Sequence, residues 1–175
     1  MDFTKEEEAV DEGVYDVARR LGQALAERGW KLAMAESCTG GLVSSLLTDL
    51  AGSSAWYAGG VVVYSNEAKR NILGVPQAVL DTKGAVSRET VLAMTRGALG
   101  IFRADVAVAI SGIAGPDGGS PQKPVGTVWM AWEGPFGALA ERHHFSGDRL
   151  AVKSQSARTA IATVLDLVTR EMPAT

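Results

Sequence analysis

The chain has 175 residues, of which 46% are hydrophobic and 21% are charged, and its formal net charge is −3. This length and composition are those of one globular domain that can bury its own core without disulfides or a structural metal. The acidic pI near 5.4 argues against a nucleic-acid-binding protein, whose surface would carry a basic patch or stripe.

The N-terminus and the cysteine content favour a cytoplasmic protein. Residues 1–12 contain no basic region followed by an apolar one, so we expect no secretory signal. No apolar stretch approaches the ~20 residues of a membrane span. Cys38 is the single cysteine, which excludes an internal disulfide and suits a reducing compartment. We expect an acidic extension over residues 1–12, in which the first helix starts, and one domain over residues 13–172.

The first half of the chain predicts three helices and two strands. Apolar residues recur at helical spacing in a first segment that Gly29 ends. Two short apolar segments are typical of strands. In chain order, the predicted elements are a helix over 5–28, a strand over 32–35, a helix over 40–50, a strand over 56–64, and a helix to Leu73 that Ser65 or Asn66 caps and Gly74 and Pro76 end.

The second half predicts two helices and three strands. Residues 106–110 contain no polar side chain, which indicates a central strand buried on both faces. In chain order, we predict a helix from Ser87 to about Arg103, strands over 106–110, 125–132 and 138–145, and a helix over 148–171. This order predicts an α/β fold: a single-domain, three-layer αβα sandwich with a mixed sheet.

Ser37 lies where a predicted strand turns into a helix, in the segment AESCTGG of residues 35–41. A nucleophile there would face the N–H groups of the helix start, which can hold an oxyanion. Alternatively, Ser37 or Thr39 only caps the helix. The thiol of Cys38 is a further candidate nucleophile, because a helix N-terminus lowers a thiol pKa, although a buried cysteine is usually inert.

Lys69 falls in the first turn of its predicted helix, in the segment YSNEAK of residues 64–69. A cation there opposes the helix dipole by ~0.3–1 kcal/mol, which would lower the lysine pKa and suit a general base. The alternative is an ordinary exposed lysine. His143 is another possible base, without an evident carboxylate to orient it. His143 and His144 point to opposite faces of a predicted strand, so we expect no metal site.

The glycine-rich segment SGIAGPDGG of residues 111–119 follows the predicted central strand. Open α/β sheets bind ligands at this position. The segment matches neither the dinucleotide-binding pattern nor the P-loop. It is therefore either a ligand-binding loop or a plain connection.

Together with KPVGTV at 123–128 and FSGDR at 145–149, these three motifs resemble the CinA C-terminal domain family over roughly residues 13–170. The family includes nicotinamide-nucleotide amidases, which convert nicotinamide mononucleotide to nicotinate mononucleotide and ammonia in NAD salvage. The resemblance implies an αβα sandwich with amidase activity and no cofactor. Multidomain relatives carry a separate N-terminal domain, so we expect the stand-alone amidase form here.

By this resemblance, Ser37 is the nucleophile, Lys69 is its base, Tyr64 lies close to both, and Arg149 pairs with the substrate phosphate. The resemblance also implies a homodimer that acts on a small pyridine nucleotide, without nucleic-acid or membrane partners. The alternative is a non-catalytic nucleotide-binding or regulatory module, since such loops bind anions whether or not chemistry follows. The residues expected to bind the substrate or the oxyanion are Cys38, Thr39, Gly40, Gly41, Asn66, Ser111, Gly112, Gly115 and Arg149.

Overall fold

The computed structural model describes the backbone of residues 5–170 and the side chains of residues 13–170. The helices are α1 (Lys5–Arg28), α2 (Leu42–Thr48), α3 (Asn66–Leu73), α4 (Gln77–Lys83), α5 (Arg88–Phe102) and α6 (Arg149–Thr169). The strands are β1 (Leu32–Glu36), β2 (Tyr57–Val62), β3 (Val106–Gly112), β4 (Thr127–Gly134) and β5 (Gly137–His144). The outermost parts of the predicted extension and domain, residues 1–4 and 171–172, lie outside the described residues.

The five strands form one mixed sheet in the order β2-β1-β3-β4-β5. Strand β1 runs parallel to both β2 and β3, and β4 and β5 continue the sheet antiparallel. The carboxyl ends of the three parallel strands therefore meet at one edge of the sheet. Ser37 follows β1 at this edge, Ser111 is the second-last residue of β3, and Tyr64 lies two residues after the end of β2.

Helices cover both faces of the sheet, which confirms the predicted α/β sandwich. Along β1, Leu32 and Met34 join the core under α1, α2 and α6. Ala33 and Ala35 face the second core, under α3, α4 and α5. Because side chains alternate along a strand, the Glu36 side chain lies on the same face of the sheet as Leu32 and Met34. The side chain of Ser37 then points to the opposite face, that of Ala33 and Ala35. No helix in the described part of the chain is long and apolar enough to cross a membrane.

Three of the differences from the sequence prediction have a clear physical or structural description. Helix α4 was not predicted; it begins after Pro76, whose φ of −60° suits a helix start. Helix α2 begins at Leu42 rather than Gly40, because Gly40 and Gly41 adopt positive φ angles of 63° and 96°. Strand β3 continues through Gly112, two residues into the segment predicted to be irregular.

Candidate active site

Ser37 and Lys69 meet at the carboxyl edge of the sheet. The Nζ atom of Lys69 lies 2.9 Å from the Oγ atom of Ser37. Lys69 is only 1% exposed and Ser37 6%, so the interpretation of Lys69 as an ordinary surface lysine is wrong. Lys69 projects from α3, whose first turn is fixed by Ser65; the Ser65 hydroxyl accepts a hydrogen bond from the Ala68 N–H at 3.0 Å.

The Lys69 amine has two further partners, both backbone carbonyls. Its Nζ donates to Val63 O at 2.9 Å and to Tyr64 O at 3.0 Å. A neutral amine has two N–H bonds and one lone pair. With both N–H bonds directed at these carbonyls, the lone pair is free to accept the hydroxyl proton of Ser37. The geometry thus suits a proton acceptor.

Burial lowers the pKa of the Lys69 amine, and the neighbouring Cys38 opposes this effect more weakly. The sequence predicts the same direction from the helix dipole, but in the structure the main cause is the removal of the charged form from water. A lowered pKa increases the fraction of neutral amine near pH 7, as a general base requires.

The carboxylate of Glu36 holds the turn that carries Ser37. Glu36 is fully buried. Its Oε2 accepts from Thr39 Oγ1 at 2.7 Å, Gly41 N at 3.0 Å and Val43 N at 3.2 Å. Its Oε1 accepts from Ser44 N at 2.8 Å and from Ser44 Oγ at 2.7 Å. A buried carboxylate is tolerated here because the N–H groups of a helix start satisfy it. The sequence analysis did not identify this residue.

Two predictions about this turn need correction. Neither Ser37 nor Thr39 caps α2, since the N-cap is Gly41, without a side-chain cap. The N–H groups of Gly40 and Gly41 are also not free to hold an oxyanion, because they donate to Ser37 O at 3.1 Å and to Glu36. The remaining donors are the N–H groups of Cys38 and Thr39, for which residues 5–170 provide no backbone acceptor.

Cys38 does not have the reactive thiol that a helix N-terminus would produce. It is 5% exposed, and burial, the largest effect, raises its pKa to about 11. The lowered pKa expected from the helix start is therefore wrong and the alternative, an inert buried cysteine, fits the structure, because desolvation outweighs the backbone hydrogen bond and the nearby cations that lower the pKa. At neutral pH the thiol is protonated, and a protonated thiol is a weak nucleophile.

Ser111 lies beside Ser37 across the parallel pair β1–β3. Glu36 pairs with Ile110 in this register, and the Ser37 N–H donates to Ile110 O at 3.0 Å. The following residues, Ser37 and Ser111, are therefore neighbours, and Ser111 is 1% exposed. At Gly112, an added Cβ would come within 2.7 Å of a Val128 methyl group. The absence of a side chain at this position therefore allows β3 to pair closely with β4.

Arg149 connects two of the predicted motifs. At the start of α6, its Nη1 donates to Gly115 O at 2.8 Å and its Nη2 donates to Tyr64 Oη at 3.1 Å. Tyr64 is 61% exposed, so its ring lies at the mouth of the site. Asn66 is the exposed first residue of α3. The structure thus places Arg149, Tyr64 and Gly115 together at the rim.

Lys153 is a further cation at this site that the sequence analysis missed. It lies one helical turn after Arg149 on α6, and its Nζ is 3.6 Å from where a Cβ on Gly40 would lie. The spacing of four residues within the predicted last helix was the available signal, since such residues share one helix face.

His143 lies away from these residues. It is on β5, the edge strand that β3 and β4 separate from β1. Its ring stacks on Phe145 with centroids 5.5 Å apart, and its Nε2 lies 3.2 Å from a Glu141 oxygen. A carboxylate that could orient His143 is thus present, but the pair does not face Ser37. Within the described residues, no three His, Cys, Asp or Glu side chains are grouped so as to hold a metal ion.

Comparison with known proteins identifies the family. The profile of the CinA C-terminal domain matches residues 14–168. A nicotinamide-nucleotide amidohydrolase from Escherichia coli is 51% identical over 155 residues, covering 88% of this chain and 94% of that protein. Its counterpart from Enterobacter agglomerans is 50% identical over 153 residues, covering 87% and 93%. The crystal structure of a competence/damage inducible protein from Agrobacterium tumefaciens matches with a TM-score of 0.85 and 44% identity, covering 88% of this chain and 94% of that one. The chain therefore belongs to the CinA C-terminal domain family.

Proposed function

We propose that the protein is a nicotinamide-nucleotide amidohydrolase, which converts nicotinamide mononucleotide and water to nicotinate mononucleotide and ammonia in NAD salvage. Relatives with this activity in their names match most of the chain at about half identity. The observation that carries the proposal is the 2.9 Å contact between the Ser37 hydroxyl and the buried amine of Lys69. A hydroxyl paired with a desolvated amine is an activated nucleophile.

In the first step, the neutral Lys69 amine takes the hydroxyl proton while Ser37 Oγ attacks the carboxamide carbon. The developing oxyanion accepts hydrogen bonds from the N–H groups of Cys38 and Thr39, and one such donor contributes about 3–4 kcal/mol in comparable sites. The cationic pyridinium ring of the substrate further disfavours a protonated Lys69, so the base stays neutral until attack.

In the second step, the carbon–nitrogen bond breaks and the proton held by Lys69 passes to the leaving nitrogen, which departs as ammonia. The acyl group remains as an ester on Ser37. Lys69 then accepts a proton from water, the hydroxide attacks the ester, and the proton returns to Ser37 Oγ. Tyr64 lies beside this path, with its hydroxyl held by Arg149 at 3.1 Å.

The competing function is a nucleotide-binding or regulatory module without turnover. Release of ammonia from nicotinamide mononucleotide by the purified protein distinguishes the two functions. We expect stoichiometric nicotinate mononucleotide and ammonia from the wild type and none from Ser37→Ala. A folded wild type that binds the nucleotide without releasing ammonia would favour the module.

We infer further that the protein acts in the cytoplasm as a homodimer, on a small molecule rather than on nucleic acid. The single cysteine supports a reducing compartment such as the cytoplasm. The net charge of −3 supports a small-molecule substrate rather than nucleic acid. The homodimer rests on the family resemblance. Light scattering that gives the 18.3 kDa mass of one chain would contradict it.

A further inference from the structure

Two hydrogen-bonded hydroxyls connect strand β2 to the carboxylate of Glu36. The Tyr57 hydroxyl donates to Ser44 Oγ at 2.7 Å, and the Ser44 hydroxyl donates to Glu36 Oε1 at 2.7 Å. Burial raises the pKa of the Tyr57 hydroxyl, so this group stays protonated and can donate. A Cβ on Gly60 would lie 2.6 Å from Tyr57 Oη and 2.7 Å from Ser44 Oγ, so the glycine leaves room for both hydroxyls. These bonds link β2 and α2 to the end of β1.

The Glu36 side chain closes the turn that follows β1. At the start of the turn, the Val63 N–H donates to Glu36 O at 2.8 Å and the Ser37 N–H donates to Ile110 O at 3.0 Å. At its end, the carboxylate accepts hydrogen bonds from residues 39, 41, 43 and 44. The backbone of residues 37–41 is therefore held from both ends, which leaves its N–H groups little freedom to change direction.

The N–H groups of Cys38 and Thr39 lie inside this closed turn. They are the oxyanion donors of the proposed mechanism, and such donors are effective when they are already aimed at the place where the negative charge develops. The Thr39 hydroxyl also donates to Glu36 Oε2 at 2.7 Å, so the same residue supplies an oxyanion donor and a bond to the carboxylate. The direction of these N–H groups therefore depends on Glu36.

A carboxylate is the side-chain group that can accept all five of these hydrogen bonds. The donors are three backbone N–H groups and two hydroxyls, which belong to Thr39, Gly41, Val43 and Ser44. Glutamine has the same length but one acceptor oxygen, and its NH₂ group only donates. Each Glu36 oxygen accepts from at least one backbone N–H, so the NH₂ group of a glutamine would oppose a donor in either orientation. Glu36→Gln therefore perturbs the turn at nearly constant side-chain volume.

We propose that Glu36, supported by Ser44 and Tyr57, is a positioning residue that aims the oxyanion donors of the enzyme at the transition state. The inference rests on the proposed function and adds to it a residue that does not touch the substrate. An interaction realised only in the transition state changes kcat and leaves KM unaltered. Lys69 makes its three hydrogen bonds with the Ser37 hydroxyl and two carbonyls, so a change at Glu36 leaves the partners of the base in place.

The test compares Glu36→Gln, Ser44→Ala and Tyr57→Phe with the wild type on nicotinamide mononucleotide. Chemistry is measured as the single-turnover rate constant with saturating enzyme, which does not depend on the fraction of folded molecules. We expect Glu36→Gln to lower it by about 10- to 100-fold, less than the ~100- to 1,000-fold loss on removing an oxyanion donor outright. KM and the midpoint of the rise with pH should stay unchanged. Ser44→Ala should lose less, and Tyr57→Phe least.

Glu133→Gln is the matched control. Glu133 Oε2 accepts a hydrogen bond from the Thr95 hydroxyl at 2.6 Å, as Glu36 does from the hydroxyl of Thr39. It pairs with Ala107 near the start of β3, at the edge of the sheet opposite Ser37. Glu133→Gln should lower the temperature of thermal unfolding without changing the single-turnover rate constant.

An unchanged rate constant in Glu36→Gln would overturn the inference, as would a higher KM at an unchanged rate constant. A shifted pH midpoint would also overturn it, because Glu36 would then act through Lys69. If Glu36→Gln does not fold, Ser44→Ala and Tyr57→Phe decide, and wild-type rate constants in both variants would contradict the positioning role.

If the wild type releases no ammonia, the proposed function fails, and acylation of Ser37 by p-nitrophenyl acetate decides separately on the positioning. Attack on this activated ester also forms an oxyanion but requires no nucleotide binding. Release of p-nitrophenolate is measured against Ser37→Ala as the blank. Glu36→Gln should react about 10- to 100-fold more slowly than the wild type. Equal rates, or a wild type that does not exceed the blank, would remove the inference.

Discussion

Replacing Lys69 with arginine separates a proton acceptor from a fixed positive charge. The amine makes three contacts of 2.9, 2.9 and 3.0 Å, one of them with the Ser37 hydroxyl. Arginine keeps the charge and can still donate to the two carbonyls, but with a pKa above ~12 it cannot accept the serine proton. If Lys69 is the base, Lys69→Arg and Lys69→Ala should both lose about 100–10,000-fold in kcat, the usual contribution of a general acid–base group.

The assay is ammonia release from saturating nicotinamide mononucleotide as a function of pH. Because the neutral amine is the active form, the wild-type rate should rise with pH through the Lys69 pKa, which burial places below its ordinary value. Both variants should lose this dependence. Lys69→Met preserves length without a base and controls for packing, since the site is 1% exposed. A Lys69→Arg enzyme with near-normal turnover would refute the reasoning and leave Tyr64 as the next candidate.

Further predictions address the nucleophile, the absence of a metal requirement and the packing of α5. Ser37→Ala should abolish hydrolysis with an unchanged circular dichroism spectrum, while Cys38→Ser should keep most activity; the reverse pair of results would make the thiol the nucleophile. A chelator should not reduce the rate, because no grouping of metal ligands exists in the described residues, and a loss that zinc restores would contradict this. Gly97→Ala would bring a Cβ to 2.2 Å from Leu73 O and should lower stability by about 1–3 kcal/mol. Gly100→Ala on the same helix meets nothing within 4 Å and is the control in thermal unfolding.

Helices and strands marked by a cap residue or an apolar run could be predicted from the sequence. The short helix α4, which has neither, could not. The bounds of α3 follow from the Ser65 cap and the αL conformation of Gly74. The apolar run of β3 correctly indicated a strand buried along nearly its whole length. Helix α4 has only seven residues, and Leu80 is its one buried side chain. One apolar contact gives no periodicity to detect, and the Gly74 and Pro76 signals describe only where the previous helix ends.

The site was predictable where it depends on short motifs and unpredictable where it depends on burial. Whether Lys69 reaches Ser37, 32 residues away, is decided by the parallel pairing of β1 with β2, which no single motif contains. The sign of the Cys38 pKa shift was wrong because the sequence shows the helix start but not the desolvation, which is the larger effect. The position of the Lys153 amine near Gly40 likewise depends on how α6 packs against α2.

The alternation of side chains at the end of β1 explains how a carboxylate and a base can act so close together. Glu36 and Ser37 are consecutive, yet Glu36 faces α2, while Ser37 meets Lys69 on the side of α3. A carboxylate beside Lys69 would stabilise the protonated amine and raise its pKa, which would remove the base. Because side chains on a strand alternate with a period of two, a shift of one residue would exchange the two faces. The register of β1 therefore keeps the Glu36 carboxylate on the helix start, where it does not raise the Lys69 pKa that burial lowers. Both conditions favour transfer of the Ser37 proton to the amine.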